Sequence, residues 1–403
     1  MKKNNLKLII ITLSILVLSL IIYFVGQFLF SGEGEPSARS STALSSTQTE
    51  READASNREP FPVKFKQKST IVNKLEQQVF TLEFNPLDER LEFKPVLSFD
   101  NLFGFEKISE IIARTGAYAA INGGFFFEYG DPVGMVAIDG DLFMTANGYD
   151  PVLIVDKKGA RFEKPLSQCS FNYMNKKVSI NKFNRTGETG NIVLYTRDYG
   201  TTNRATTSNT SVRVKNNKVT AVYRDVTKVS LNEDSQLISF YGEKAALVRE
   251  LGIEVGDAIE IEITPEFDDA YQAYSCSSML VSNGKNVAPD KDRWVGTLLN
   301  RDPRTAIGIK DNGNLLLIVA DGRQPGYSYG LTGKELADLL IELGVKEAAM
   351  LDGGATSQMF VEGRLVNKPS DRGLERPVAG AFIVKLKSGH NNSAEENSVI
   401  PDK

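Results

Sequence analysis

An uncharged apolar segment near the N-terminus constrains the fold of this chain most strongly. Residues 8–30 form a run of 23 residues without a charge, preceded by Lys2, Lys3 and Lys7. Such a run is long enough to cross a hydrocarbon core about 30 Å thick. A cleavable signal peptide is the alternative, but its apolar region is shorter and ends in small residues. The pattern therefore predicts a single-pass signal-anchor helix in the cell membrane, with residues 1–30 including the cytoplasmic flank and the main domain outside.

Composition divides the rest of the chain into three parts. Residues 31–60 are rich in Ser, Thr, Glu, Ala and Gly and have almost no bulky apolar side chain, which predicts a flexible extracytoplasmic stalk. Residues 388–403 are polar and predict a disordered tail by the same argument. The folded domain is expected between them, at residues 61–387.

Charge and rare residue types exclude several functions. The chain has 51 acidic and 47 basic residues, and without the three anchor lysines the exported part is net −7, which argues against a nucleic-acid partner. The one histidine, His390, lies in the polar tail, so catalytic triads, Cys-His dyads and histidine zinc motifs are not expected. Cys169 and Cys276 could form one disulfide outside the membrane or remain two free thiols.

Short apolar runs separated by turn residues indicate many strands. They occupy residues 79–84, 152–155, 212–222 and 259–264. Helical periodicity is clear only at 108–114, 243–251 and 332–343. In the last of these, Thr332 and Glu335 fit a capping box, and Gly344 ends the helix. The predicted class is α+β, a strand-rich mixed-sheet domain with a few packed helices, preceded by one transmembrane helix.

Five segments place polar residues or glycines where an apolar run ends. Side chains in such positions lie on rigid elements, and glycines let a ligand approach the backbone. The simpler alternative is that Asp-Gly and Gly-Gly are only turn residues. We accept that alternative for Asp139-Gly140, a predicted hairpin turn. The five segments are Asn122-Gly123-Gly124, Arg304-Thr-Ala-Ile-Gly308, Asp321-Gly-Arg323, Asp352-Gly353-Gly354-Ala-Thr-Ser357 and Glu375-Arg376.

In this order the five segments and the capped helix resemble the phosphodiester glycosidase family. That family includes the enzyme that removes N-acetylglucosamine from a phosphodiester to uncover mannose 6-phosphate. The resemblance covers about residues 116–385. It implies the family's fold and hydrolysis of a sugar phosphodiester. The family commonly has Gly-Gly-Gly-Ser-Ser where this chain has Gly353-Gly354-Ala355-Thr356-Ser357, a departure that bears on the substrate more than on the fold.

The chemistry of these residues fits such a reaction. Hydrolysis at an anomeric carbon generally uses two carboxylates, and Asp352, Asp321 and Glu375 are the candidates. The departing phosphate monoester is already a stable anion, so charge stabilisation by arginine matters more than protonation. Either the arginines bind phosphate or they form structural ion pairs with the same carboxylates. The candidate substrate-binding residues are Asn122, Gly123, Gly124, Arg304, Arg323, Gly353, Gly354, Ser357 and Arg376.

No cofactor is predicted from the sequence. Asp131, Asp321 and Asp352 carry oxygen ligands suited to calcium or magnesium, but no segment has the spacing of a metal-binding loop. We therefore assign no metal ligand, and an oxygen-ligated divalent cation stays open.

Two functions follow as hypotheses. The first is an exported, membrane-anchored hydrolase that cleaves a sugar, with N-acetylglucosamine as one candidate, from a phosphodiester of a cell-surface glycopolymer or its precursor. The alternative is a noncatalytic surface module that binds anionic glycopolymer in exopolysaccharide or envelope assembly. Both have a carbohydrate partner and a membrane contact through residues 8–30.

Overall fold

The computed structural model describes residues 60–232, 234–268 and 270–387. The predictions for the anchor, for the stalk up to residue 59 and for the tail with His390 lie outside these residues. Within them, no helix is long and apolar enough to cross a membrane. The described residues from Phe61 to Lys387 belong to one compact unit.

Strands dominate the described part of the chain, and most are short and antiparallel to their neighbours. In chain order they are β1 (Val63–Val72), β2 (Leu75–Phe84), β3 (Leu91–Leu97), β4 (Ala119–Asn122), β5 (Val136–Ile138), β6 (Asp141–Met144), β7 (Val152–Asp156), β8 (Gly159–Glu163), β9 (Gln168–Tyr173), β10 (Lys176–Ile180), β11 (Lys182–Phe183), β12 (Ile192–Tyr195), β13 (Asn209–Lys215), β14 (Lys218–Val226), β15 (Gln236–Tyr241), β16 (Glu260–Thr264), β17 (Gln272–Ser275), β18 (Met279–Ser282), β19 (Lys285–Asn286), β20 (Lys291–Asp292), β21 (Gly296–Thr297), β22 (Arg304–Lys310), β23 (Leu315–Ala320), β24 (Val345–Met350), β25 (Met359–Val361), β26 (Arg364–Leu365) and β27 (Gly380–Leu386).

The described residues form three α-helices, α1 (Ile108–Thr115), α2 (Ala245–Leu251) and α3 (Gly333–Glu342). Each coincides with a predicted helix, and a 3₁₀ turn precedes α2. The capping box of α3 is confirmed: the Thr332 hydroxyl accepts from the Glu335 amide at 3.2 Å, and Glu335 Oε2 accepts from the Thr332 amide at 2.9 Å. The strand-rich α+β class with few helices is thereby confirmed.

A seven-stranded sheet in the order β1-β2-β23-β22-β24-β18-β19 is the largest layer. A five-stranded sheet, β26-β25-β4-β27-β3, lies beside it, and a second five-stranded sheet has the order β6-β5-β17-β7-β8. Strands β11 to β15 form a further five-stranded sheet, β9, β10 and β16 a three-stranded one, and β20 and β21 a short hairpin. The apolar stripe of α3 packs on the seven-stranded sheet, where Leu336 and Leu340 are fully buried.

The fold brings distant parts of the chain together at one edge of these sheets. The end of β24 meets the end of β4, because the Asp352 amide donates to the Gly123 carbonyl at 3.1 Å and Asn122 Nδ2 donates to the Asp352 carbonyl at 2.7 Å. β22 and β23 pair alongside, with Arg304 opposite Ala320. Arg304 therefore begins a strand, whereas Asn122, Asp321 and Asp352 occur where strands end.

Candidate functional site

The carboxylate of Asp352 lies in a small hydrogen-bonded loop beyond β24. Its Oδ1 accepts from the Gly353 amide at 2.9 Å, and its Oδ2 accepts from the Thr356 hydroxyl at 2.8 Å. Burial raises the pKa of Asp352 to about 6, although these two hydrogen bonds and the charge of Arg376 act in the opposite direction. A carboxyl whose pKa is shifted in this way is typical of functional sites.

Arg323 lies over the glycine loop with part of its guanidinium open. Its Nε donates to Asp302 Oδ1 at 2.8 Å, and its side chain is 50% exposed. Gly354 has a φ of +69°, and a Cβ added there would lie 3.4 Å from both terminal nitrogens of Arg323. Glycine at this position thus allows both the backbone turn and the close approach of the guanidinium.

Arg376 contributes a second exposed guanidinium whose charge acts on Asp352. The Gln358 side chain bonds to both backbone polar groups of Arg376. It accepts from the Arg376 amide and donates to the Arg376 carbonyl, each at 2.9 Å. The preceding Glu375 accepts from the Ser109 amide and hydroxyl at 2.7 Å, in the first turn of α1. The carboxylate of Glu375 therefore fixes this loop to a helix terminus.

Asp321 is 1% exposed and supports the glycine loop at residues 353–357. Its carboxylate accepts from Asn367 Nδ2 at 2.7 Å, from the Lys368 amide at 2.9 Å and from the Tyr327 hydroxyl at 3.1 Å. Burial raises the pKa of Asp321, and these donors oppose that shift. Because Asn367 also donates to the Ser357 carbonyl at 3.0 Å, Asp321 supports the glycine loop through this amide.

Three other predicted binding residues are buried among protein partners. Arg304 Nε donates to the Leu331 carbonyl at 3.0 Å and Nη2 to the Asn300 carbonyl at 2.9 Å. The Asn122 side chain accepts from the Thr305 hydroxyl at 2.9 Å as well as joining Asp352. Ser357 is fully buried, so its hydroxyl does not face solvent. These side chains serve the architecture beneath the loop.

Close packing requires glycine at the end of β4. A Cβ on Gly123 would lie 2.9 Å from the Gly380 carbonyl oxygen, and one on Gly124 would lie 2.8 Å from the Ser275 carbonyl oxygen. A Cβ on Gly353 would similarly lie 3.0 Å from the Pro303 carbonyl oxygen. These glycines therefore let backbone segments of the protein approach each other, whereas the sequence analysis expected them to let a ligand approach the backbone.

Sequence reasoning missed three residues of the site. Thr356 orients the Asp352 carboxylate, and Asn367 joins Asp321 to the glycine loop. Tyr274 is buried under Gly123 and Gly124, and its pKa is raised by burial and further by Cys276 and Asp352. The strand that carries Tyr274 reads Gln272-Ala-Tyr-Ser275 and has no continuous apolar run, so the sequence pattern did not single it out.

Two open questions from the sequence concern cysteines and metals. Cys169 and Cys276 are both free thiols, and burial raises the pKa of each. In residues 60–387, apart from 233 and 269, no group of three or more His, Cys, Asp or Glu side chains could hold a metal ion. Asp131, one of the considered oxygen ligands, lies 3.7 Å from Arg185.

Comparison with known proteins supports this description of the fold. A crystal structure of a hypothetical protein from Synechocystis has a TM-score of 0.69 at 20% identity, covering 81% of this chain and 62% of that one. A Burkholderia pseudomallei K96243 protein assigned as exported has a TM-score of 0.64 at 20% identity, covering 77% and 74%. At these identities the likeness concerns the fold.

Sequence comparisons give one curated relative and one family. The uncharacterized SPbeta prophage-derived protein YomE of Bacillus subtilis (strain 168) is 32% identical over 124 residues, which are 31% of this chain and 19% of YomE. The chain thus spans less than two thirds of YomE and of the Synechocystis protein. Residues 201–385 match the phosphodiester glycosidase family, a range that includes Asp352 but not Asn122-Gly123-Gly124. The resemblance to the phosphodiester glycosidase family is therefore confirmed, and it rests on residues 201–385 of this chain.

Proposed function

We propose that this protein is an exported, membrane-anchored hydrolase that removes a sugar from a phosphodiester of a cell-surface glycopolymer or its precursor. The observation that carries the proposal is the arrangement around Asp352. The Asp352 carboxylate has a raised pKa and is acted on by the charge of Arg376, while Arg323 lies over Gly354 of the same loop, and both arginines are partly open to solvent. The family match over residues 201–385 supports a glycosidase that acts on phosphodiester sugars.

The reaction assigns separate roles to the carboxylate and the arginines. Cleavage of the anomeric C–O bond develops positive charge on the sugar ring, and ionised Asp352 places negative charge beside it. The phosphate leaves as an anion, so Arg323 and Arg376 stabilise its charge and no general acid is required. Asp321 and Glu375, whose oxygens already accept protein hydrogen bonds, hold the loops that carry these three groups.

The membrane part of the proposal comes from the sequence. Residues 8–30 are long and apolar enough to anchor the chain, and the lysines before them favour a cytoplasmic N-terminus. The domain then lies outside the membrane, where glycopolymers linked by phosphodiesters would be accessible. The exported assignment of the Burkholderia pseudomallei protein is consistent with this location.

Purified full-length protein in detergent should release free sugar from an N-acetylglucosamine 1-phosphodiester. Tests with other hexose 1-phosphodiesters would define the sugar. If no sugar phosphodiester is cleaved, the hydrolase proposal fails. Reaction in oxygen-18 water identifies the broken bond: label in the sugar hydroxyl indicates C–O cleavage, as proposed, whereas label in the phosphate indicates a phosphodiesterase that breaks the P–O bond.

One observation favours the second candidate, a noncatalytic module that binds anionic glycopolymer. Glycoside hydrolysis generally uses a pair of carboxylates, but Asp321 is 1% exposed and both oxygens of Glu375 are bound by Ser109, which leaves Asp352 as a single candidate. Saturable binding of a polymer that stays chemically unaltered after long incubation would support this candidate over the hydrolase.

A further inference from the structure

A cluster of aromatic rings and arginines lies beyond the residues already described. Phe127 is 44% exposed and meets Trp294 edge-on, with ring centroids 5.8 Å apart. The guanidinium of Arg185 lies 5.5 Å from the Phe127 ring centre, and that of Arg293 lies 4.9 Å from the Trp294 ring centre. We call these four residues the aromatic–arginine surface.

The first half of this surface is an extension of the segment that contacts Asp352. The Gly123 carbonyl accepts from the Asp352 amide, and Phe127 follows four residues later. Four residues span at most about 14 Å, so Phe127 lies within a few sugar lengths of Asp352. The Phe127 amide donates to the Asp131 carbonyl at 2.8 Å, which closes the loop and fixes its tip.

The second half is fixed to the end of β24 by an independent set of bonds. The Trp294 amide donates to Asp292 Oδ1 at 2.7 Å, and Asp292 Oδ2 accepts from the Ser277 hydroxyl. The Ser277 amide in turn donates to the carbonyl of Met350, two residues before Asp352. Two unrelated loops are therefore both tied to the strand ends that flank Asp352, and their aromatic rings meet each other.

The surface continues into a pocket and is rich in cationic groups. Trp294 and Arg293 line a pocket of about 380 Å³ together with Tyr149 and Lys164. Arg293 is 61% exposed and has Asp150 as its acidic neighbour at 3.5 Å. Arg185 is 25% exposed, lies 3.7 Å from Asp131, and donates from Nη1 to the Pro132 carbonyl at 3.0 Å.

We propose that the aromatic–arginine surface binds the sugar–phosphate chain that extends from the bond held at Asp352. Ring faces pack against the apolar C–H faces of hexoses, and guanidinium groups bind phosphate oxygens in pairs. The two meeting rings lie between the two guanidinium groups, in the order Arg185, Phe127, Trp294 and Arg293, which suits a sugar with a phosphate on either side. This inference rests on the proposed phosphodiester substrate and specifies that the substrate is a polymer.

The test is calorimetric titration of the full-length protein, reconstituted in phosphatidylcholine nanodiscs, with an oligomer of hexoses joined by phosphodiester bonds. An uncharged oligosaccharide of equal length is the comparison ligand. We expect the charged oligomer to bind more tightly, and we expect Phe127→Ser and Arg293→Gln each to weaken its binding about tenfold, the scale of a well-packed contact residue. Ile71→Ser and Arg249→Gln, which change exposed side chains of β1 and α2, should leave binding unchanged.

Each other outcome overturns the inference. Equal binding of the charged and uncharged oligomers would show that the protein does not recognise the phosphates. Unaltered binding by both variants would show that the oligomer does not bind at the aromatic–arginine surface. Pelleting with vesicles of equal parts phosphatidylglycerol and phosphatidylcholine, without oligomer binding, would indicate a lipid surface instead. Because Arg293 is largely exposed, its substitution should not prevent folding.

Hydrolysis of a short sugar phosphodiester separates this inference from the proposed function. The two variants should keep wild-type turnover on the short substrate, since they lie outside the loop of Asp352. Oligomer binding without any hydrolysis would support the role of the aromatic–arginine surface and contradict the hydrolase proposal. Hydrolysis of the short substrate without oligomer binding would support the hydrolase proposal and contradict the role of the aromatic–arginine surface.

Discussion

Asp352 combines burial with two hydrogen bonds that do not fully offset it. The Gly353 amide and the Thr356 hydroxyl both donate to its carboxylate, yet its pKa is raised to about 6 because water is largely excluded. A structural aspartate at a turn gains little from such a location. A carboxylate that stabilises positive charge on a substrate gains from it, because electrostatic interactions strengthen when water is excluded.

Asp352→Asn should lower kcat by about a hundredfold or more, about 3 kcal/mol in activation free energy. The substitution nearly conserves shape and removes the negative charge. Asp139→Asn is the control. Asp139 lies in a hairpin turn and its carboxylate accepts hydrogen bonds from Lys94 and Gln272, so this substitution should barely change the rate. If Asp352→Asn kept nearly full activity while Asp321→Asn or Glu375→Gln was inactive, the catalytic carboxylate would be Asp321 or Glu375 instead of Asp352.

The pH dependence of turnover should report the same group. If ionised Asp352 is the active form, kcat should rise as pH increases through about 6 and level off above it. In Asp352→Asn the residual rate should lose this step. A wild-type profile that falls with increasing pH through this range would contradict the role of the ionised carboxylate.

Stability should change with pH in the opposite direction. Since the folded pKa of about 6 exceeds the usual value of 3.8, the folded state binds the proton more tightly. The contribution of Asp352 to the free energy of unfolding is therefore greatest at low pH and is lost as pH rises from about 4 to about 6. Asp352→Asn should then increase the free energy of unfolding by up to about 3 kcal/mol near pH 8.

The hydrogen bonds allow this substitution. The remaining oxygen can accept from the Gly353 amide, while the Thr356 hydroxyl can turn its proton to the Gly353 carbonyl, 2.7 Å away, and accept from the new amide nitrogen. Urea unfolding at about pH 4 and about pH 8 measures the difference. A variant less stable than wild type at both pH values would identify Asp352 as a structural partner.

At the scale of elements, local patterns predicted more than long-range ones. The capping box of α3 and the Asp139-Gly140 turn between β5 and β6 depend on neighbouring residues, and both form as expected. The order of the central sheet depends on pairs such as Val79 with Ala320, which are far apart in sequence. Apolar runs carry no record of which run they pair with, so this order was not predictable.

The difference between local and long-range patterns also explains which features of the site could be predicted. The position of Asp352 after an apolar run was enough to predict that it follows a strand. The burial of Arg304 was not predictable, because its carbonyl acceptors belong to Asn300 and Leu331, and Leu331 comes from a different segment. The side-chain polar groups of Arg304 and Asn122 are bonded within the protein, and the Ser357 hydroxyl is buried without a hydrogen-bond partner.

Thr332→Ala should lower the free energy of unfolding by about 1 kcal/mol. The Thr332 hydroxyl accepts from the Glu335 amide, and its loss leaves this amide without its cap. Thr332→Ser keeps the hydroxyl and should restore most of the stability, which urea unfolding can measure. Equal losses in both variants would show that the threonine methyl group, rather than the cap, is responsible.

At the scale of the whole molecule, the proposed function requires the domain and its substrate to be on the same side of the membrane. The described residues form a compact unit from Phe61 onwards, and the apolar run at 8–30 is separated from it by a polar segment. If residues 8–30 anchor the chain as proposed, the domain would be restricted to a layer near the membrane surface. Polymers attached to the cell surface, or precursors carried on lipid, are the substrates that such a tether would favour.

The anchor predicts how the protein fractionates and which side it faces. Full-length chain should sediment with membranes and need detergent for release, whereas a chain that begins at Phe61 should remain in the supernatant, because it lacks the 23-residue apolar run. Protease added to intact spheroplasts should digest the domain but leave a tag before Lys2 protected, since basic flanks stay in the cytoplasm. Release into the medium of a chain that lacks residues 1–30 would identify a cleaved signal peptide. Digestion of the tag with protection of the domain would show the opposite topology.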